Sequence, residues 1–443
     1  MKRLLASPFF GFILIIASCN QSDPINNFQN EQKRILSAPP LGWNSYDSYF
    51  ASINEQIIID NINAFEQRLK PSGYEYFVLD DGWQCHWDLE KNKYYGYIDS
   101  FGRCMADTTR FAQGLKPYIE LAHSKGIKFG VWLIRGAPIE AKAKGLKIKG
   151  TSTYFTDVLD ESVAIDPWLG VPSWHGTSAF KDLNAMQAYY NSVFELLADW
   201  NIDFVKYDYV INSPKDISAI AEARKNHAPN IVLSLSAGCG SNTQYFDIYS
   251  RADMVRITSD VWDNRKSLVE CFKQWELLSS YAQPGFYLDL DMIPFGSLPV
   301  YGRNDSLTLD QKQSFIAQRA LAASPLIMGG SLTESDSTSF ALITDSDMLE
   351  CNQNGVCGKL INRTAKYDIW KTKSAENADN GWVGVFNRTT EQITINLSAA
   401  DLDLDKDSSY KYYDIWKKHS LPEGSIIDRL NADGVLFLSY KKQ

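Results

Sequence analysis

Two stretches decide how this chain reads: Ile202-Asp203-Phe204-Val205-Lys206-Tyr207-Asp208 and Met254-Val255-Arg256-Ile257-Thr258-Ser259-Asp260. Each is a short apolar run that stops at a carboxylate, the pattern of a buried parallel strand ending at a site. The same unit recurs on both sides. Strand-like runs at 41–46, 74–79, 127–134, 204–207, 231–236, 254–258, 285–288 and 325–328 alternate with helical stretches at 55–69, 115–124, 185–200, 267–281 and 309–323. Pro71-Ser72-Gly73 closes the first helix and Gly126 the second. Eight alternations over roughly 290 residues is the count of an α/β (β/α)8 TIM barrel. A doubly wound open sheet is the alternative. It is weakened because no Gly-rich phosphate loop follows the first strand.

Past about 339 the pattern changes to period-two strands at 382–387, 392–397, 410–416 and 434–440. These predict a small C-terminal antiparallel β-sandwich over 336–443, after a catalytic barrel over 37–335. Two connections, 81–111 and 136–182, are far longer than ordinary barrel loops. Both follow strands, so both belong on the carboxyl-end face, and they carry Trp83, Trp87, Trp168 and Trp174.

The N-terminus reads as a processing segment. Lys2 and Arg3 precede an apolar run, 9–17, that is too short to span a bilayer and ends at Ala17-Ser18-Cys19. Small residues before a cysteine resemble a bacterial lipoprotein signal. The expectation is therefore a signal over 1–18, lipidation at Cys19, a flexible tether over 19–36, and a lipid-anchored location in the bacterial cell envelope. An ordinary signal peptide with a chance cysteine is the competing reading.

The 443 residues are 44% hydrophobic and 13% aromatic, enough for packed cores and against wholesale disorder. A net charge of −9 without a basic tract argues against nucleic acid as a partner. Twelve Trp and 23 Tyr suit carbohydrate, because flat amphipathic rings stack on sugar faces, although most single rings in any protein belong to the core. Six cysteines remain after Cys19. Short loops favour Cys85–Cys104 and Cys351–Cys357 as disulfides, with free buried thiols as the competing reading. No CxxC occurs and the five histidines are scattered, so the sequence predicts no metal or cofactor.

Carboxylates at the strand ends of such a barrel lie on its working face. Two carboxylates facing one sugar are the minimal machinery of a glycosidase. Taken singly, Asp208 and Asp260 read better as caps or ion-pair partners. Lys206 lies two residues before Asp208 on the same strand, so both point to the same side. The adjacent Asp80 and Asp81 repel each other, which suggests a polar ligand between them.

Six segments follow in order: Pro40-Leu41-Gly42-Trp43-Asn44-Ser45, Leu79-Asp80-Asp81-Gly82-Trp83, Val205-Lys206-Tyr207-Asp208, Arg256-Ile257-Thr258-Ser259-Asp260-Val261, Leu288-Asp289-Leu290-Asp291-Met292 and Ser324-Pro325-Leu326-Ile327-Met328-Gly329-Gly330. In this order they resemble the melibiase-type α-galactosidases, glycoside hydrolase family 27. The resemblance implies a retaining mechanism with Asp208 as nucleophile and Asp260 as acid/base, their carboxyl groups about 5–5.5 Å apart. It implies an ionised Asp208 favoured by Lys206, and an Asp260 in a less solvated position that keeps its proton. It assigns Asp80 and Asp81 to sugar hydroxyls, with Lys206 as a further donor, Arg256 near the 2-position and Asp291 on the pocket lining. Tyr46 and Trp132 become aromatic walls, Trp43 core, and Asp289 structural.

Two departures concern the sugar. The fifth strand runs Leu233-Ser234-Leu235-Ser236-Ala237-Gly238-Cys239, with Ser236 where typical α-galactosidases place a glutamate that helps bind the 2-hydroxyl. Small residues there leave room for a larger 2-substituent, as in the related α-N-acetylgalactosaminidases. Leu133-Ile134-Arg135-Gly136-Ala137-Pro138 resembles a bacterial branch that includes isomaltose-releasing dextranases. The expectation is thus an exo-acting α-galactosidase acting on an oligosaccharide or polysaccharide. α-N-Acetylgalactosaminidase, β-L-arabinopyranosidase and isomalto-dextranase are rivals within the class, and a non-catalytic glycan-binding lipoprotein is the rival outside it.

Overall fold

The computed structural model describes residues 34–88, 93–160, 162, 177–210, 212–236, 243–422, 424 and 426–443. The signal over 1–18, Cys19, most of the tether, Trp168, Trp174 and Ala237 to Cys239 lie outside the described residues.

Eight strands form one parallel sheet: β1 Leu41–Asn44, β2 Tyr76–Leu79, β3 Lys128–Ile134, β4 Phe204–Asp208, β5 Val232–Leu235, β6 Met254–Arg256, β7 Tyr287–Asp289 and β8 Leu326–Met328. The order is β7-β6-β5-β4-β3-β2-β1-β8. The ring closes past the end of β7, where Ile293 bridges Met328 in parallel and its N–H donates to the Ile327 carbonyl at 2.8 Å. This is the predicted TIM barrel. Its strands are almost wholly buried because helices cover the outside, which is why they read as continuous apolar runs.

The helices α1 Glu55–Arg68, α2 Lys116–Ser124, α3 Leu183–Asp199, α4 Pro214–His227, α5 Arg265–Leu278 and α6 Leu309–Leu321 join these strands. Several start on caps placed at the site face. Asn54 accepts from the Ile57 N–H, Asp182 from Ala185 and Asn264 from Ser267, while Thr308 and Gln311 form a capping box. α4 was not expected. Its buried face mixes Ile217 and Ile220 with alanines, Asp216 and Arg224, which pairs with Asp253 at 2.8 Å, so the apolar periodicity is weak.

The tether ends earlier than expected. Ile35 and Leu36 pack beneath the barrel on Tyr76, Phe204, Val232, Met254 and Tyr287, the first residues of five strands. Arg34 donates to the carbonyls of Ser250 and Ala252 at 2.8 and 3.0 Å. Apolar side chains and satisfied donors fix these residues, so 34–36 belong to the barrel floor.

The domain boundary set at 336 falls before two further helices, Ser337–Ile343 and Ser346–Gln353. Asn352 anchors the second to the barrel by donating to the Ser324 carbonyl at 2.8 Å. Antiparallel strands begin with β9 Lys359–Arg363, followed by β10 Tyr367–Lys373, β11 Gly381–Asn387, β12 Ile393–Leu397, β13 Tyr410–Asp414, β14 Ile426–Leu430 and β15 Val435–Lys442. One six-stranded sheet has the order β9-β10-β11-β15-β13 and ends on the short strand His419–Ser420, and β12 pairs with β14. Ile369, Val383 and Val385 meet Ile393, Ile395, Leu397 and Ile426 in the sandwich core. The outer face of the large sheet is covered by the barrel. Trp370 stacks on Trp275 at 3.7 Å and 17°, and Phe386 meets Phe272 edge-on at 4.8 Å.

Neither short-loop disulfide is formed: Cys85, Cys104, Cys271, Cys351 and Cys357 stand as thiols. Burial accounts for most of them, and it pushes the Cys104 thiol up to about 12 and Cys271 to about 11. The long connections hold small elements of their own, a hairpin of Cys85–Asp88 with Lys93–Gly96 and a strand Thr177–Phe180 paired with Ala137–Pro138 and Leu159–Asp160. Trp83 faces inward, packed edge-on against Trp200.

Candidate active site

The sequence-derived site residues come together at the carboxyl ends of the strands. Asp80 and Asp81 follow β2 directly. Asp80 is buried and accepts three donors: Asn44 Nδ2 at 2.7 Å, Lys206 Nζ at 2.8 Å and the Asp81 N–H at 2.9 Å. Asn44 ends β1 and Lys206 stands in β4, so three strands meet on one carboxylate. Asp81 accepts from Gln84 Nε2 at 3.3 Å and from the Cys85 thiol at 3.6 Å.

Asp208 is the last residue of β4. Trp132 Nε1 from β3 donates to its Oδ2 at 3.1 Å, and the Tyr209 N–H donates to Oδ1 at 2.8 Å. Tyr209 is left-handed at φ +58°, an uncommon setting for a bulky residue, and this turns the chain so that the amide reaches the carboxylate. The Trp132 carbonyl is in turn held by Trp83 Nε1 at 2.8 Å. Burial opposes the charge on Lys206, but Asp80, Asp208 and Asp291 outweigh it and lift the ammonium above its ordinary range.

On the other side of the mouth Arg256 ends β6. Its Nη1 donates to Asp260 Oδ1 at 2.6 Å and to Asp291 Oδ2 at 2.9 Å. Asp291, also left-handed at φ +70°, accepts the Val261 N–H at 2.9 Å. Burial works against its charge, yet Arg256, Lys206 and that N–H hold its carboxyl below the usual range. The less solvated position expected for Asp260 is not found. Its side chain is 70% exposed, because it lies four residues past the strand end on an open rim. The field of Arg256 reaches Asp291, Asp260 and Asp208.

Tyr46 lies beside this cluster. Burial, then Asp81, Asp80 and Asp260, raise its phenol far above the ordinary value, so it stays a neutral donor. Ser236 follows β5, its N–H donating to the Tyr207 carbonyl at 2.7 Å. Its hydroxyl is buried with no partner among the described residues. Trp43 is core, donating to the Gly330 carbonyl at 2.9 Å.

Sequence reasoning missed Asn44 and Asp47. Asn44 stood inside a quoted motif and its position at a strand end was a usable signal. Asp47 is fully buried behind the site. Burial first, then Asp291, lifts its carboxyl well above the usual range, and its Oδ2 has no partner among the described residues. A methyl at Gly329 would meet that oxygen at 2.0 Å, which explains one glycine of the Ser324–Gly330 segment. Asp289, expected to be structural, orders the turn by accepting the Asp291 N–H at 2.8 Å. Burial and Asp291 push its carboxyl up to about 6.

Comparison with known proteins agrees with this geometry. A family model described as alpha galactosidase A matches residues 167–354, the melibiase model matches 27–142, and a model of the alpha galactosidase C-terminal beta sandwich domain matches 364–439. The α-galactosidase of Cyamopsis tetragonoloba is 25% identical over 408 residues, covering 89% of this chain and 84% of the relative. The GH27 β-L-arabinopyranosidase of Geobacillus stearothermophilus superposes with a TM-score of 0.83 at 28% identity, covering 94% of this chain and 98% of that one, and a second structure of it holds arabinose. A Bacillus halodurans protein described as an α-N-acetylgalactosaminidase gives 0.79 at 26% identity, covering 91% and 97%. The chain is a glycoside hydrolase and belongs to the melibiase family, glycoside hydrolase family 27.

Proposed function

We propose that this chain is a retaining, exo-acting α-galactosidase that releases terminal α-galactosyl residues from glycans. The observation that carries the reading is the carboxylate cluster at the strand ends, with Asp208 held by Trp132 and Tyr209, Asp80 by Lys206, and Asp260 and Asp291 by Arg256. Asp208 and Asp260 both lie in the field of Arg256, and Asp208 also in that of Lys206. Asp208, oriented by Trp132 and Tyr209, attacks the anomeric carbon while the Asp260 proton passes to the leaving oxygen. Asp260 then takes a proton from water, which hydrolyses the glycosyl ester and restores Asp208. The exposed rim position of Asp260 suits this exchange with solvent.

Asp80 and Asp81, with Lys206 as donor, accept hydroxyls of the terminal ring. Tyr46 and Trp132 wall it, and Asp291 holds Arg256 toward C2. The small Ser236, with its unpartnered hydroxyl, favours α-N-acetylgalactosaminide as the second reading, in which that hydroxyl would serve a 2-acetamido group. α-Galactose and β-L-arabinopyranose share every ring hydroxyl configuration and differ at C6, so the arabinopyranoside belongs in the same test. Anchoring through a lipidated Cys19 in the cell envelope, with Asn20 onward as tether, completes the proposal.

The experiment is a panel of p-nitrophenyl α-galactoside, α-N-acetylgalactosaminide and β-L-arabinopyranoside, with NMR of the first-formed anomer. Fastest turnover of the galactoside with retained configuration is expected. An inverted product overturns the mechanism. Glycan binding without turnover favours a binding lipoprotein.

A further inference from the structure

The segment Leu133-Ile134-Arg135-Gly136 at the end of β3 has no part in the chemistry at C1, yet its arginine lies against the turn that carries the nucleophile. Arg135 is buried and holds both peptide units that flank Tyr209. Its backbone N–H donates to the Asp208 carbonyl at 3.3 Å, and its Nε donates to the Tyr209 carbonyl at 2.8 Å. Between those two peptide units Tyr209 sits at φ +58°, and its own N–H donates to Asp208 Oδ1 at 2.8 Å. A left-handed setting costs energy for a residue with a side chain, so it persists only where the surroundings over-determine it. One arginine thus spans the strained position on which a hydrogen bond to the nucleophile depends.

The guanidinium is itself held from two helices. Its Nη1 faces Asp216 Oδ2 at 3.4 Å, in the first turn of α4, where a helix N-terminus favours a carboxylate. Asp216 Oδ1 accepts the hydroxyl of Tyr190 from α3 at 2.7 Å, and that hydroxyl oxygen accepts the Gly136 N–H at 2.9 Å. The bonds leave Arg135 and return to its neighbour, so a closed ring fixes where the side chain points. Within it the ion pair is loose, and the short contact is the one to Tyr209. A pair kept for stability alone would place its short contact on the carboxylate. From the other side Tyr209 packs with Trp132, Ile134 and Ala179, the last from the strand Thr177–Phe180 of the long connection after β3. Trp132 is also the second donor to Asp208.

We infer that Arg135 is a positioning residue for the nucleophile, pinning the Tyr209 turn and so aiming Asp208 at the anomeric carbon. The inference rests on the glycosidase reading above, with Asp208 as the attacking group. Arg135 acts through Tyr209 and not on the sugar. The groups proposed to bind the sugar hydroxyls, Asp80, Asp81 and Lys206, are held by Asn44, Gln84, Cys85 and one another, with no bond to the Arg135 ring. Loss of Arg135 therefore slows the attack and spares the binding of the sugar.

The test follows fluoride release from α-galactosyl fluoride by the full chain. Fluoride leaves with little help from a general acid, so kcat/KM reports the attack of Asp208 more than proton transfer from Asp260. The inhibition constant of galactose reports sugar binding separately. Arg135→Met combined with Asp216→Asn removes the donor to the Tyr209 carbonyl without leaving a buried charge alone. This double variant is expected to lower kcat/KM about tenfold, the equivalent of one hydrogen bond of about 1.4 kcal/mol, with the galactose constant inside twofold of wild type. Arg135→Lys keeps the charge toward Asp216 but not the planar fork, and is expected to lose about threefold. Should the double variant not fold, the lysine variant decides on the same two numbers. A kcat/KM within twofold of wild type in the folded variant overturns the assignment and leaves the hydrolase reading intact. A galactose constant that weakens in step with kcat/KM also overturns it, because it marks a general loosening of the pocket. A wild-type protein that releases no fluoride overturns the hydrolase reading and the assignment with it.

Discussion

Arg256 is the residue whose removal should reveal most about how the site is held together. Its Nη1 serves two carboxylates that differ sharply in exposure, 4% for the Asp291 side chain and 70% for Asp260. Arg256→Ala leaves Asp291 buried with the Val261 N–H and the field of Lys206 as remaining support. Breaking a buried pair from one side costs about 3–5 kcal/mol, and the surviving partners place this case near about 3 kcal/mol. The exposed Asp260 adds little, since such pairs contribute about 0–1 kcal/mol. The cost should depend on pH. Asp291 has a folded pKa below its unfolded one, so it stabilises the fold above the unfolded value, and that contribution fades as pH falls through the folded value. The variant should therefore lose most near pH 7 and less near pH 3–4. Adding Asp291→Asn should recover about 2 kcal/mol at neutral pH, as neighbours in one network do. Urea unfolding followed by tryptophan fluorescence at both pH values provides the measurement. A loss under about 1 kcal/mol at pH 7, or a double variant no more stable than the single one, would refute the argument.

Three further outcomes are expected. Asp289 carries a carboxyl raised to about 6, so the folded state binds the extra proton and wild-type stability falls between about pH 4 and 6. Asp289→Asn keeps the acceptor for the Asp291 N–H and should remove that fall, gaining about 1–3 kcal/mol at pH 7, read from melts across the range. Ser236→Glu should shift the galactoside-to-N-acetylgalactosaminide ratio of kcat/KM toward the galactoside by about 1–3 kcal/mol, while an unchanged ratio shows that the fifth strand does not read C2. Cys19→Ser should move the protein from the membrane fraction to the soluble fraction, and an unchanged distribution counts against the anchor.

The barrel was legible because parallel strands covered on both faces become uninterrupted apolar runs, and because Asn54, Asp182, Asn264 and Thr308 mark helix starts. α4 was not, because Arg224 and Asp253 bury a charge pair where periodicity calls for apolar side chains. The sandwich strands β9, β10 and β14 escaped notice for a related reason. β9 and β14 carry charges on their exposed faces, and β10 buries Trp370 against the barrel, a contact between distant parts of the chain. The placement of Asp80, Asp208 and Arg256 at the barrel mouth was legible, since strand ends fix which side chains face it, whereas Asn44 and Asp47 were missed. Its electrostatics were not. The exposure of Asp260, the burial of Asp47 and the reliance of Asp81 on Gln84 and Cys85 all depend on loop paths that local sequence does not determine.

The central claim is that Asp208 becomes covalently glycosylated during turnover. A 5-fluoro-α-galactosyl fluoride destabilises the cationic transition states of both steps, while its good leaving group keeps the first step fast enough to load the intermediate. The carboxylate oxygen of Asp208 forms the bond to C1 as the C1–F bond breaks and fluoride departs. Mass spectrometry of the intact protein should show one added fluorogalactosyl unit, and peptide mapping should place it on Asp208. A protein that hydrolyses galactosides yet carries no adduct, or carries it on another carboxylate, would contradict the account.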